Sequence, residues 1–276
     1  MKKSNLRDAQ LLMVDILSEV DRICKKNGID YWIDAGTLLG AIRHSGFIPW
    51  DDDIDICMKR DDYVKFLSVV NDELNKSDFF VQTSKTDSKY KNLNIPCKIR
   101  MNNTVIIETW EVEEGGYDKE SHHGIFIDIF PYDKYSTNKF KRKYIQRILS
   151  QFFKIKTLQP REKKKSVVSF FCRYIGMIIP KRFIYLWLDV QSKRMMSKGR
   201  GYQYGAGIET PFFRAYFDED EIFPTKDISF EGRVFKGPNK PYDYLTKMFG
   251  SEFMTLPPEE NRIWHHTKIE INLNDI

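Results

Sequence analysis

Between Leu6 and Asn27 apolar side chains recur at Leu12, Ile16, Val20, Ile23 and Cys24, the spacing of one helix face, and Asn27-Gly28 supplies a C-terminal stop. Tyr31-Trp32-Ile33 then reads as a short strand ending at Gly36-Thr37, followed by a short helix over Leu38 to Arg43. Alternating acids and isoleucines from Asp53 to Ile56 predict a second strand. Asp61 is a candidate cap for a helix over Asp62 to Leu74, with Tyr63, Phe66, Leu67 and Val70 on one face. Further strands are predicted at Phe79 to Thr83, Pro96 to Met101 and Thr104 to Glu108. Gly124 to Pro131 is a strand closed by proline, apolar at nearly every position except Asp128. Past Lys139 the pattern changes to a basic run, then to broken apolar helical segments over Val167 to Ile179 and Phe183 to Leu188. Phe230-Glu231-Gly232-Arg233-Val234-Phe235 reads as a hairpin.

Period-two alternation has a chemical consequence. Along an extended strand Asp53 and Asp55 point one way while Ile54 and Ile56 point into a core. Two carboxylates so close repel unless a cation sits between them, and Mg²⁺ is typically held by one or two carboxylates together with substrate phosphates. A solvated acidic turn is the plain alternative, but Pro49-Trp50 and the interleaved isoleucines are poor material for one. An EF-hand loop is a second alternative, opposed by Ile56 where that loop needs glycine and by Asp62 where it needs glutamate. An acid buried in an apolar strand needs a cation or a donor, so Asp128 is either a third ligand, a base, or a hydrogen-bonded structural residue. Lys98 and Arg100 alternate and share a face; on the acid side they would contact a diphosphate, and otherwise they are exposed sheet positions. His122 and His123 precede the Asp128 strand, with His123 a candidate for supporting the acids. His265-His266 read as surface or interaction residues, because adjacent histidines on a strand or helix do not face one metal together.

The run Gly36-Thr37-Leu38-Leu39-Gly40, Arg43-His44, then Gly46-Phe47-Ile48-Pro49-Trp50-Asp51-Asp52-Asp53-Ile54-Asp55 resembles the signature of the LicD family of phosphotransferases, within the nucleotidyltransferase-fold superfamily. Phe223-Pro224-Thr225, Pro241-Tyr242-Asp243-Tyr244-Leu245, Phe249-Gly250 and Leu256-Pro257-Pro258-Glu259-Glu260 extend the likeness, which covers roughly residues 29–135 and 222–266. The resemblance implies an α/β fold of nucleotidyltransferase type: a mixed sheet flanked by helices, a basic helical insertion and a C-terminal closing segment. It divides the chain into a catalytic core (1–135), an amphipathic insertion (136–205) and a C-terminal segment packing on the core (206–276). It further implies that Asp53, Asp55 and Asp128 hold Mg²⁺ or Mn²⁺ and act in catalysis. Gly36 and Thr37 form the turn of the family pattern, and Arg43, Lys98 and Arg100 are candidates to bind the donor. The implied reaction moves phosphocholine from CDP-choline, or another CDP-activated alcohol phosphate, to a hydroxyl of a lipid-linked glycan precursor such as that of teichoic acid or lipopolysaccharide, releasing CMP. Trp50, Trp110 and Tyr117 are candidates for a choline cage.

Composition narrows the setting. The 276 residues are 41% hydrophobic and 30% charged with a net charge of +5, enough for one large domain or two small ones. No apolar run reaches the roughly 18 residues of a spanning helix, and Met1-Lys2-Lys3-Ser4-Asn5 does not lead into a signal-peptide core, so a cytoplasmic protein is expected. Cys24, Cys57, Cys97 and Cys172 are scattered among apolar neighbours and read as buried thiols. Lys139 to Lys165 holds eleven basic residues, Lys139, Lys141, Arg142, Lys143, Arg147, Lys154, Lys156, Arg161, Lys163, Lys164 and Lys165, against Glu162. That charge suits either a solvated face or peripheral contact with the inner face of the cytoplasmic membrane. Two other function classes stay open: a true nucleotidyltransferase releasing pyrophosphate, and a non-catalytic RNA-binding protein. Absence of interleaved aromatic and basic RNA motifs argues against a nucleic-acid partner.

Overall fold

The computed structural model describes residues 2–3, 6–90, 94–113, 117–142, 201–210, 215–262 and 266–271, with scattered positions between 178 and 193. After a two-residue strand β1 (Lys2–Lys3), the amphipathic stripe forms α1 (Leu6–Asn27), with the bounds its periodicity predicts. Met13, Ile16, Leu17, Val20, Ile23 and Cys24 are all buried, and α1 packs against the central sheet. Strand β2 (Trp32–Ile33) passes into α2 (Ala35–His44) within one residue, Ala35 taking φ 44° so that Asp34 O accepts from Leu38 N at 3.0 Å. Gly36-Thr37 therefore lies inside the first turn of the helix, where a turn ahead of it was expected.

Strand β3 (Asp55–Lys59) starts later than the acid pattern predicts, so Asp53 lies just before it. Helix α3 (Arg60–Glu73) begins one residue ahead of Asp61, which is a first-turn acid and not the cap. Strands β4 (Phe79–Gln82), β5 (Cys97–Met101) and β6 (Thr104–Glu108) fall where alternation puts them, and α4 (Thr109–Glu113) follows. Proline does not close the next strand: β7 runs Phe126–Ser136 straight through Pro131. β5 pairs with β7 over residues 126–129, and β8 (Tyr202–Ala206) pairs with it over 132–136. Pro131 falls between the two partners, at a point where its missing N–H leaves no ladder bond unmade.

The mixed sheet runs β2-β3-β7-β5-β4, with β8 on the distal half of β7. β3 and β7 are parallel and the other pairs antiparallel. Arg60 locks the end of β7 to the segment after β8, forking onto Asp133 and Glu209 at 2.7–2.8 Å. A short helix α5 (Glu219–Ile222) precedes the hairpin β9 (Lys226–Phe230) and β10 (Arg233–Gly237), whose two-residue turn has Glu231 and Gly232 at φ 52° and 73°, as a primed turn requires. Helix α6 (Pro241–Phe249) follows, and β11 (His266–Ile271) inserts between β1 and β6 in a separate small sheet.

A buried polar knot docks α6 on the core. Asp34, fully buried, accepts from Tyr244 Oη at 2.6 Å, from Tyr132 Oη at 3.2 Å and from Cys57 Sγ at 3.0 Å, while Trp32 Nε1 donates to Tyr244 Oη. Burial, with the Asp34 charge beside them, holds both phenols well above their usual range, so they remain donors. Cys24, Cys57 and Cys97 are free and buried as expected, and Cys172 lies outside the described residues. Most of the expected insertion, 136–205, lies outside them too. No helix among the described residues is long and apolar enough to cross a membrane.

Candidate active site

Sheet register builds the site. Asp55 on β3 is the cross-strand partner of Asp128 on β7, and Asp128 is the partner of Lys98 on β5, giving a row of acid, acid and base on one face. Asp128 N donates to Ile54 O at 2.8 Å, which extends the pairing back toward Asp53. Thr37 Oγ1, on the first turn of α2, accepts from Asp55 N at 2.8 Å, so the start of α2 and the start of β3 are held together.

Asp51, Asp52 and Asp53 stand beside this row, with one carboxylate oxygen of each within 4.8 Å of the others. Two braces shape their loop. Gln10 of α1 donates to Asp51 O at 2.9 Å, and Glu231 at the hairpin tip, held by Arg7, accepts from Phe47 N at 2.9 Å. Asp51 Oδ2 is buried without a hydrogen-bond partner among the described residues. A Cβ on Gly36 would stand 2.7 Å from that same oxygen, so only glycine lets the carboxylate approach the helix start this closely.

Crowding shows in the acidities. Burial first, then the Asp52 charge, pushes the Asp51 carboxyl up to about 7. Burial and the neighbouring Asp55 hold Asp53 well above the carboxylate range, and burial and Asp128 do the same for Asp55. Asp128 is pushed up to about 6 by burial despite Lys98 Nζ at 2.8 Å. A set of converging carboxylates that resist ionising, one with an orphaned oxygen, fits a hard divalent cation bound through oxygen. Asp51 extends the predicted set of Asp53, Asp55 and Asp128, and the adjacent loop position explains how it joins an acid row it does not share a strand with.

Lys98 and Arg100 share a face as their alternation predicts, but both are buried and their bonds go to protein groups. Lys98 Nζ lies between Asp128 and Glu108 (2.8 and 3.2 Å) and over the Phe126 ring. Arg100 donates to Gln82 Oε1 and to Gly124 O, with Glu111 3.8 Å away. Arg43, in the last turn of α2, donates to the carbonyls of Phe253 and Thr255, tying α2 to the C-terminal segment at the rim of the acid loop. Burial lowers its pKa, and nearby Asp51 opposes that shift.

His123 stacks on Tyr117, ring centroids 4.7 Å apart, and faces Glu111 at 3.8 Å, so it adjoins the Lys98 and Arg100 network and not the acid loop. His122 is stacked on Phe80 and bonded to Asn102; burial lowers it to about 4. Trp50 is half-buried with Arg262 5.2 Å above its ring, Tyr117 is exposed, and the side chain of Trp110 lies outside the described residues. Of the surface or interaction residues expected at 265–266, His266 makes an interaction: its Nδ1 lies 3.0 Å from Asp52 Oδ2, with little of either side chain exposed. His265 lies outside the described residues. Asp34, Glu111 and Gln10 were also not anticipated. For Asp34 a signal existed, since it ends the apolar strand Tyr31 to Ile33 much as Asp128 interrupts its own.

A cavity of about 930 Å³ lies toward the other end of β3 and β7, lined by Lys59, Arg60, Tyr132, Asp133 and Glu209, apart from the acid row.

Comparisons with known proteins meet this geometry. The model of the LicD/FKTN/FKRP nucleotidyltransferase domain matches residues 28–167. The chain is 30% identical over 276 residues to the lipopolysaccharide cholinephosphotransferase LicD of Haemophilus influenzae, across 96% of this chain and 97% of that one. An uncharacterised protein of Rickettsia prowazekii is 32% identical over 130 residues, 47% of this chain and 42% of its own. Human ribitol 5-phosphate transferase FKRP is 55% identical over 29 residues, 10% of this chain and 6% of its own.

Proposed function

The chain belongs to the LicD family and is a phosphotransferase, and from that premise we propose that it transfers phosphocholine from CDP-choline to a hydroxyl of a lipid-linked glycan precursor, releasing CMP. The carrying observation is the Asp55, Asp128, Lys98 row flanked by Asp51 and Asp53 at the N-terminus of a helix, in a chain similar along its length to a lipopolysaccharide cholinephosphotransferase.

Asp51, Asp53, Asp55 and Asp128 would hold Mg²⁺ or Mn²⁺. When bound, such an ion neutralises charge developing on the diphosphate in the transition state. The chain's own groups do the rest. Backbone N–H groups in the first turn of α2, at Gly36 and Thr37, suit a phosphate, because the helix end leaves them without intrahelical acceptors and carries partial positive charge. Arg43 at the opposite end of α2 adds positive charge at the rim. Lys98 holds Asp128 in place and offsets its charge in a buried setting. The acceptor oxygen forms a bond to the phosphorus that carries choline as the bond from that phosphorus to CMP breaks. The hydroxyl proton passes to a carboxylate of the row, with Asp128 in that role where it does not hold the ion.

A second reading has a specific observation behind it, the short match to a ribitol 5-phosphate transferase, and takes CDP-ribitol as donor. Basic residues 139–165 support a peripheral position at an anionic membrane, where lipid-linked acceptors reside. One experiment decides the donor. The purified protein is incubated with a lipid-linked oligosaccharide, Mg²⁺ or Mn²⁺, and CDP-choline, CDP-ribitol, CDP-glycerol or CTP in turn, and the released nucleotide or pyrophosphate is identified. CMP from CDP-choline alone supports the reading, CMP from CDP-ribitol selects the second, and pyrophosphate release from CTP with no CMP from any donor rejects both.

A further inference from the structure

The acid loop contains more carboxylates than a single cation site needs. Asp52 sits between Asp51 and Asp53 in sequence, within the same 4.8 Å set, and among the described residues no Lys or Arg ion pair reaches any of the three. Its partner comes from the far end of the chain. β11 lies antiparallel to β6 with His266 opposite Glu108, and a register irregularity between His266 and Lys268 marks the first residue of the strand. There the imidazole meets Asp52, Nδ1 to Oδ2 at 3.0 Å, with 9% and 8% of the two side chains exposed. Thr267 Oγ1 donates to Ile107 O at 3.2 Å and helps fasten the strand beside the contact.

We propose that His266 is a positioning residue for the acid loop: by donating from Nδ1 to Asp52 Oδ2 it reserves Asp52 for itself and leaves Asp51 and Asp53 aimed at the cation. The inference rests on the metal reading above. A buried carboxylate that loses the donor it has among the described residues, in a like-charged cluster, turns toward the positive charge available. Here that charge is the cation, so Asp52 would compete for it and displace its neighbours. Partners of this kind typically change metal affinity by roughly 10–100-fold when removed. The contact also requires the tautomer protonated at Nδ1.

Chemistry of the side chains makes the test selective. Asparagine can present its amide nitrogen near the position of Nδ1, whereas glutamine reaches past it toward that of Nε2. Mn²⁺ affinity is measured on donor-free protein, with turnover of CDP-choline and thermal unfolding in parallel. His266→Ala and His266→Gln should weaken Mn²⁺ binding by roughly 10–100-fold, while His266→Asn recovers most of it. Asp52→Asn added to His266→Ala should recover part of the lost affinity, because the competing carboxylate is then gone and the two changes are not additive. Equal effects of Ala, Asn and Gln, or wild-type Mn²⁺ affinity in His266→Ala, overturn the proposal. Should the wild-type protein bind no Mn²⁺ and release no CMP, the metal reading fails by itself. The dyad is then judged by unfolding alone: coupled Tm shifts for His266→Ala and Asp52→Asn in the metal-free protein sustain it, and additive shifts reject it.

Discussion

Asp53 and Asp55 illustrate how much one residue's charge does here. Replacing either by asparagine keeps the shape and removes the charge, so turnover should fall more than about a hundredfold with the fold intact, since metal stabilisation of a transition state is worth several kcal/mol. CMP release by Asp53→Asn or Asp55→Asn within a few-fold of wild type would remove these residues from the site. Gly36 makes a sharper test of geometry. A methyl group there meets Asp51 Oδ2 at 2.7 Å, so Gly36→Ala should weaken Mn²⁺ binding and turnover while leaving the melting temperature nearly unchanged, because alanine is the better helix residue. At this scale Asp128 was legible in the sequence because it is one acid in an apolar strand. Arg100 was half legible: alternation determined its face, but nothing local says that Gln82 and Gly124 take its donors.

Elements are held to one another by a few buried polar groups, and α6 depends on one of them. Tyr244→Phe removes a donor from the buried Asp34 and an acceptor from Trp32, while Phe217 stacked at 3.8 Å keeps the ring in place. Losing one partner of a buried polar group costs about 1–3 kcal/mol, so the melting temperature should drop several degrees; differential scanning calorimetry checks this, and an unchanged Tm would mean that Tyr132 and Cys57 satisfy Asp34 alone. Element identity was largely readable from periodicity, α1 and β6 to the residue. Boundaries were less so. β7 passes through Pro131 because two different strands share its edge, and α2 begins early because Ala35 adopts an unusual φ, neither of which a local pattern expresses.

For the whole molecule, the acid cluster predicts how stability responds to pH. Asp51 and Asp128 hold their protons to about 7 and about 6, above the 3.8 of an ordinary aspartate. As pH rises past 4, the unfolded chain releases these protons first, so the folded state binds more of them and the metal-free protein loses stability until the folded groups titrate. Thermal melts without metal should therefore show Tm falling between pH 4 and 7, a smaller fall in Asp51→Asn, and recovery at pH 7.5 on adding Mg²⁺ or Mn²⁺. A flat profile would show that the carboxylates do not crowd one another in solution. The basic run makes a separate prediction: binding to anionic vesicles that weakens with salt and falls when Lys163, Lys164 and Lys165 become Glu, tested by co-sedimentation. A protein that stays in the supernatant at low salt would end the membrane reading and leave the chemistry standing.

The amino-acid sequence by itself determined which side chains share a face: Asp55 against Ile56, Lys98 with Arg100, Asp128 alone among apolar neighbours. It also determined the glycine turn of the β9–β10 hairpin. Those properties follow from periods of two and 3.6 residues, which are local to each element. Only the tertiary structure decided which faces meet. The register that aligns Asp55, Asp128 and Lys98, the reach of Tyr244 to Asp34 across 210 residues, and that of His266 to Asp52 across 214 depend on strand pairing between distant segments. Periodicity orients a side chain about the axis of its own element, but the neighbour it meets is chosen by the burial of whole faces against one another.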